Sequence, residues 1–193
     1  VDVGGGAYKA LCPRCREIPP NYRQAVAALR YVGPLTRAIP SWKYAGRRDL
    51  SPVFSNLLTD WVSAKAPKWW ESIDAIVPAA HHSKTIRRRG FSPPEDLAFP
   101  LGSAFSKPVL ARTLFKIRFT PPQTGLTREQ RVANLHESMR VFDSDLVDSR
   151  IILVVDDVMT TGATLNECAR ALLKAGAKRV YGLVLARQTD LSR

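Results

Sequence analysis

Residues 151–164 read IILVVDDVMTTGAT, and this stretch decides the reading of the chain. Five apolar residues, mostly β-branched, predict a strand covered on both faces, and they run straight into Asp156 and Asp157. The loop 158–162 then delivers the chain to a helix beginning near Ala163. In parallel α/β sheets, ligands bind beyond the carboxyl ends of the strands, where loops lead into helices. The first turn of a helix offers backbone N–H groups without helical partners and a positive dipole end, so a phosphate is a natural guest. Gly162 lets the backbone approach closely, while Thr160, Thr161 and Thr164 add hydroxyl donors.

Two carboxylates beside such a cradle would repel a phosphate unless they served something else. An ionised carboxylate only accepts hydrogen bonds, and a vicinal diol offers two donors. Magnesium, directly or through water, is the other candidate. A sugar with neighbouring hydroxyls and a terminal phosphate, ribose 5-phosphate, meets both demands. Paired acids also open phospho-acceptor receiver domains, but near the domain start, whereas these come late. The magnesium strand of an ATPase is disfavoured because the chain has no G-x-x-x-x-G-K-[ST] loop. An aspartate pair that merely caps a turn would not need TTGAT after it.

Working outward, ATLNECARALLKAG continues as a helix, with Leu165, Ala169, Leu172 and Leu173 on one stripe and Gly176 as its stop. RVYGLVLAR is another buried strand, and IDAIVPA an earlier one. Helical spacing runs from Glu95 to Phe105, PVLAR is a further strand candidate, and FKIRFTPPQTGL reads as an exposed loop or hairpin broken by Pro121, Pro122 and Gly125. TREQRVANL is predicted helical, with Thr127 and Gln130 at capping-box spacing. Alternating strand and helix predicts an α/β domain with a largely parallel sheet over residues 71–193. Residues 1–20 form a separate small piece and 21–70 a helical N-terminal subdomain containing all four tryptophans. Within it, Ser51 is expected as N-cap, with Pro52 at the first helical position.

At 193 residues with 45% hydrophobic and 24% charged content, the chain can bury a core in ordinary globular proportions. No window is long and apolar enough to span a bilayer, and the start lacks a signal-peptide core, so a cytoplasmic location is expected. The net charge is +12, and Lys9 to Arg48 holds nine Lys or Arg against Glu17 alone. That balance favours polyanionic partners, either nucleic acid or phosphorylated metabolites, or else serves solubility. Cys12, Cys15 and Cys168 are too few and too odd in number for a disulfide framework.

VVDDVMTTGAT closely resembles the phosphoribosyl pyrophosphate (PRPP) signature of type I phosphoribosyltransferases. YVGPLTRAIPSWKYAGRRDL, IVPA…RRRGF, the series Gln123, Leu126, Arg131 and Asn134, and the final LVLAR follow the order of the competence-associated ComF family. The resemblance runs from Cys12 to Arg187. It implies a type I phosphoribosyltransferase fold: a largely parallel sheet flanked by helices, with a flexible hood and a small N-terminal subdomain.

Site roles follow from the same resemblance. Asp156 and Asp157 should be the catalytic acids that hold the ribose hydroxyls. The 5-phosphate should lie on Met159, Thr160, Thr161, Gly162, Ala163 and Thr164. Pyrophosphate leaves as an oxocarbenium-like carbon develops, so it needs cationic help from Mg2+ and from Lys or Arg. The resemblance places a pyrophosphate loop after the strand in AIVPA, comprising Ala79, Ala80, His81, Lys84, Arg88 and Arg89, with His82, Ser83 and Arg87 nearby. RGFSPP departs from the family's RGFNQ, so Ser92 and Pro93 replace two amide side chains. The hood should carry Arg118, Gln123 and Arg131, closing to exclude water.

CPRC, at Cys12 and Cys15, is half of a zinc ribbon; a closed Zn2+ site needs four ligands, so no complete site is expected. Cys168, mid-helix, is expected in the core. Two functions remain open. One is a phosphoribosyltransferase acting on PRPP. The other is a PRPP-sensing or single-stranded-DNA-binding accessory of transformation, using the basic N-terminal third and its tryptophans. The tryptophans as core is the simpler expectation, and nothing in the sequence names an acceptor base.

Overall fold

The computed structural model of the chain describes residues 19–118 and 137–188. Along it come strand β1 (Gln24–Arg30), helices α1 (Leu35–Tyr44) and α2 (Leu50–Lys65), and strand β2 (Ala75–Pro78). Helices α3 (Ser83–Arg89) and α4 (Pro93–Ala104) follow, then the short strands β3 (Leu114–Lys116) and β4 (Met139–Val141). Strand β5 (Ile151–Met159), helix α5 (Ala163–Lys174) and strand β6 (Arg179–Arg187) complete it. Four strands make one sheet in the order β1-β6-β5-β2, with every neighbouring pair parallel.

Alternation along β5 divides the core in two. Ile152 and Val154 face one side, with Leu165, Cys168 and Leu172 of α5. Leu153 and Val155 face the other, with Ile39 and Trp42 of α1, Phe54 and Leu58 of α2, and Leu97 of α4. Since a parallel strand is buried on both faces, IILVV needs no polar alternation, and Ile152 through Val155 are fully buried. β3 and β4 pair antiparallel as a small ribbon outside this sheet. It is tied to α5 by Glu167, which accepts from the Met139 N–H and from Arg170. The Cys168 thiol lies 3.3 Å from Met139 Sδ, and burial pushes it up to about 12, in keeping with a core residue.

Four local expectations need correction. The span 21–70 is not helical throughout, because Gln24–Arg30 is an edge strand paired with β6 from Gln24↔Tyr181 to Arg30↔Arg187. Its apolar stretch is too short to show a period, and the pairing is long-range. Ser51 is not the N-cap of α2; Asp49 holds that position without a side-chain cap. The Ser51 hydroxyl is buried instead, accepting from Trp42 Nε1 at 2.8 Å and donating to Asp96 at 2.6 Å. In PVLAR only Val109 bridges the sheet, singly, to Ile76. Finally, β5 continues through the two acids to Met159, so the loop into α5 is only Thr160 to Gly162. The predicted helix over TREQRVANL lies outside the described residues.

Trp42, Trp69 and Trp70 are buried, and Trp61 packs against the same core. Trp42 sits 4.9 Å from Phe54 and 5.9 Å from Phe91, centroid to centroid, and Trp69 stacks on Tyr181 at 4.4 Å. These rings join residues 24–70 to the sheet, and of the four tryptophans only Trp61 stays partly exposed. Among the described residues, no helix is long and apolar enough to cross a membrane. Trp42→Ala should cost about 3–5 kcal/mol in urea-induced unfolding, the usual toll of deleting a fully buried aromatic ring.

Candidate functional site

β5 and β2 are neighbours, in register from Ala75↔Ile152 to Pro78↔Val155. The loop leaving β2 therefore opens beside the end of β5, and Ala79 continues the ladder by donating its N–H to the Val155 carbonyl. Ala79 and Ala80 are buried, and His81 is carried up against the acids. His82 caps α3, its Nδ1 accepting from the Lys84 N–H at 3.1 Å. Only part of the expected basic cluster converges here. Lys84, Arg87 and Arg88 are exposed on α3, whereas the Arg89 guanidinium lies 5.2 Å from the Tyr44 ring centroid with Nη1 buried. Gly90, at φ 83°, ends the helix just beyond.

The two acids have different surroundings. The alternation that splits Ile152 and Val154 from Leu153 and Val155 aims Asp156 toward α5 and Asp157 toward α1. The contacts agree. Asp156 lines a cup of about 40 Å³ with Thr160, Gly162, Ala163 and Thr164, whereas Asp157 does not. Asp157 Oδ1 instead accepts from Lys43 Nζ of α1 at 2.7 Å and from the Val158 N–H at 2.6 Å. Both carboxylates are nearly sealed from solvent, at 5% and 3% exposure, so they are more enclosed than a ligand-facing turn would have them.

Burial and the adjoining Asp157 push the Asp156 carboxyl up to about 7. Burial would raise Asp157 too, but Lys43 and His81 together hold it below the ordinary carboxylate range. Lys43 is shifted the opposite way: Asp157 outweighs burial and lifts the ammonium above its ordinary value. Burial draws the His81 imidazole down to about 4. The neutral-pH cluster is therefore a neutral imidazole, one firm carboxylate paired to lysine, and a second carboxyl poised to ionise.

At the cup, Gly162 takes φ 79°, a left-handed conformation that leads straight into α5. A Cβ there would lie 2.7 Å from Met159 Cε and 3.0 Å from Tyr22 Oη, so the position has neither the angle nor the space for a side chain. Thr161 Oγ1 accepts from the Ala163 N–H at 3.3 Å and shapes the turn. The cup's volume is several times the roughly 10–15 Å³ that one water needs. Arg118 is exposed beyond β3, and Gln123, Arg131, Cys12 and Cys15 lie outside the described residues.

Three contributors were not singled out from sequence. Lys43 is 114 positions from its partner. Its one faint signal is that it follows the buried Ile39 by four, extending an apolar stripe with a charge. Tyr22 backs Gly162, and Asn21 donates its N–H and side-chain amide to Asn166 Oδ1 at 2.7 and 3.1 Å, tying the chain before β1 to the first turn of α5. No local pattern announces either.

Comparison with known proteins bears on this geometry. The family model described as the phosphoribosyl transferase domain matches residues 85–191. The DNA utilization protein YhgH of Salmonella typhimurium is 30% identical over 178 residues, covering 91% of this chain and 77% of that protein. Competence protein F of Haemophilus influenzae is 29% identical over 183 residues, covering 93% and 80%. Among solved structures, the glutamine PRPP amidotransferase from B. subtilis complexed with ADP and GMP aligns with a TM-score of 0.48 and 15% identity, over 83% of this chain and 31% of that one.

Lys43→Met should destabilise the fold by about 3–5 kcal/mol, because it strands Asp157 as an unpaired buried charge. Adding Asp157→Asn should recover most of that loss. Urea unfolding of both single variants and the double variant checks the coupling.

Proposed function

The chain belongs to the phosphoribosyl transferase domain family, in its ComF branch, and on that premise we propose that it binds PRPP and transfers its ribose 5-phosphate. The observation that carries this reading is that Asp156 shares one cup with Gly162 and the start of α5. A diol acceptor and a phosphate cradle thus adjoin, as the two ends of ribose 5-phosphate require. The 5-phosphate takes the amides and hydroxyls from Met159 to Thr164 at the positive end of α5. Asp156, which lines the cup, accepts from the ribose hydroxyls, with Asp157 held beside it by Lys43.

The pyrophosphate end lies toward Ala79, Ala80 and His81, where Arg89 and Lys43 bring positive charge to the departing anion. Lys84 and Arg88, exposed on α3, would have to turn inward to reach it. Lys43 keeps Asp157 ionised and so fixed as an acceptor. Magnesium arriving with PRPP would neutralise charge on the leaving pyrophosphate, and the oxygen-rich acid pair suits that hard cation. The hood expected from the sequence lies, beyond Arg118, outside the described residues.

A second reading rests on the names of the relatives and on the +12 charge: a PRPP-binding accessory of competence or DNA utilization that contacts single-stranded DNA by phosphate neutralisation. Exposed Arg87 and Arg88, not the buried tryptophans, would serve that contact. Pyrophosphate released from PRPP only when one particular nucleobase is added identifies the transferase. Salt-sensitive DNA binding with no turnover across a base panel identifies the accessory.

Under both readings, PRPP with Mg2+ should raise the melting temperature of the native chain. Asp156→Asn combined with Asp157→Asn should abolish the shift, with melting in the absence of PRPP establishing that the double variant, which leaves Lys43 without its partner, still folds. A retained shift would remove the acids from the binding role.

A further inference from the structure

Three electron-pair donors meet where β2 and β5 end. One ligand-type atom each of His81, Asp156 and Asp157 lies within 4.8 Å of the other two. Their remaining commitments are few. Asp157 Oδ1 is taken by Lys43 and the Val158 N–H, and Asp156 Oδ1 by the Asp157 N–H at 2.8 Å. Asp157 Oδ2 and His81 Nδ1 are both cut off from solvent and have no hydrogen-bond partner among the described residues. Asp157 is itself only 3% exposed.

A buried polar atom left unpaired costs about 1–3 kcal/mol, and native proteins rarely leave two side by side. Hydrogen-bond donors close at hand do not relieve these two. Lys43 is spent on the other oxygen of Asp157, and Arg89 keeps its Nη1 unpartnered too. An imidazole and two carboxylates converging on one point call for a cation among them.

We propose that His81, Asp156 and Asp157 form a protein-held site for a divalent first-row transition cation of the Mn2+ class, occupied without PRPP. The nitrogen ligand separates this site from an oxygen-only magnesium site, because Mg2+ selects oxygen and water whereas first-row transition cations also accept imidazole. Mn2+ is the weakest binder and the most oxygen-preferring of them. Two ligands on opposite sides of an ion with bonds of about 2.2 Å stand about 4.4 Å apart. At most one of the three pairs can stand opposite in this way, and the others would draw in further from their present separations of at most 4.8 Å. Asp157 serves both cations at once, its Oδ1 held by Lys43 and its Oδ2 turned to the metal. Lys43, Arg89 and Lys116 are opposing charges near the site, and they weaken the affinity without blocking a ligand atom.

Three protein ligands leave open positions for oxygen donors. With two carboxylates set against Lys43 and Arg89, a bound divalent ion leaves the site net positive, which suits an incoming anion. The proposal shares its acids with the PRPP reading but does not depend on it, since the metal is measured alone.

Titration of the full chain with Mn2+ in the absence of PRPP, followed by electron paramagnetic resonance and calorimetry, tests it. Mn2+ is the chosen probe because thiolates bind it poorly, which keeps Cys12 and Cys15 out of the measurement. One ion per chain is expected, bound roughly tenfold or more tighter than Mg2+, with His81→Ala weakening Mn2+ by roughly tenfold or more. Melting curves without metal establish that His81→Ala folds; His81→Gln, which keeps the volume, replaces it otherwise. Absence of Mn2+ binding, equal affinity in wild type and the His81 variant, or a preference for Mg2+ would each overturn the site. A PRPP thermal shift without Mn2+ binding would sink this proposal and leave the transferase reading standing; Mn2+ binding without a PRPP shift would do the reverse.

Discussion

Placing two adjacent carboxylates inside an apolar parallel sheet is the constraint to which the rest of this molecule answers. An unpaired ionised group in such a setting is costly enough to neutralise itself. β5 meets the cost unequally. Asp157 is given a lysine at 2.7 Å, and Asp156 only the next residue's N–H and the wall of the cup. One acid is held charged and the other sits near neutrality. This asymmetry is a usual mark of a functional site, where titratable neighbours are pushed apart by their surroundings.

That compensation depends on architecture far from the acids. Lys43 reaches Asp157 only because α1 is docked by Ile39 and Trp42 on the face of the sheet shared by Leu153 and Val155. α1 in turn follows β1, whose pairing with β6 makes it an edge of that sheet. Trp42 is fixed at its indole N–H by Ser51, and Ser51 by Asp96 of α4. A chain of packed and hydrogen-bonded groups therefore runs from the edge strand to the site, and the N-terminal third supplies part of the site as well as part of the core.

The cup is built by different means. Gly162 has the one backbone conformation that turns the end of β5 directly into α5, and Met159 and Tyr22 fill the space a side chain would need. Phosphate recognition of this kind uses backbone amides and a dipole, so it tolerates variation in side chains but not in chain path. The basic end of α3 is selective in a different way: Arg89 is drawn in over Tyr44 while Arg88 faces outward.

Residues 151–164 alone determined much of this. An apolar β-branched run, two acids, a glycine among threonines and an amphipathic helix each act through neighbours a few positions away, so strand, turn and helix were legible, as were the cup and its likeness to a PRPP signature. Starting the loop at Val158 was off by two residues, because ladder pairing with β6 carries β5 on to Met159. Tertiary structure alone decided which way each acid faces, which of the arginines converge, and that Lys43, Tyr22 and Asn21 belong to the site. Those contacts join residues more than a hundred positions apart, and they exist only once the parallel sheet has set the ends of β2 and β5 side by side. β1 was missed for the same reason: a strand at a sheet edge is defined by the partner it pairs with, and periodicity in a short segment does not reveal that partner.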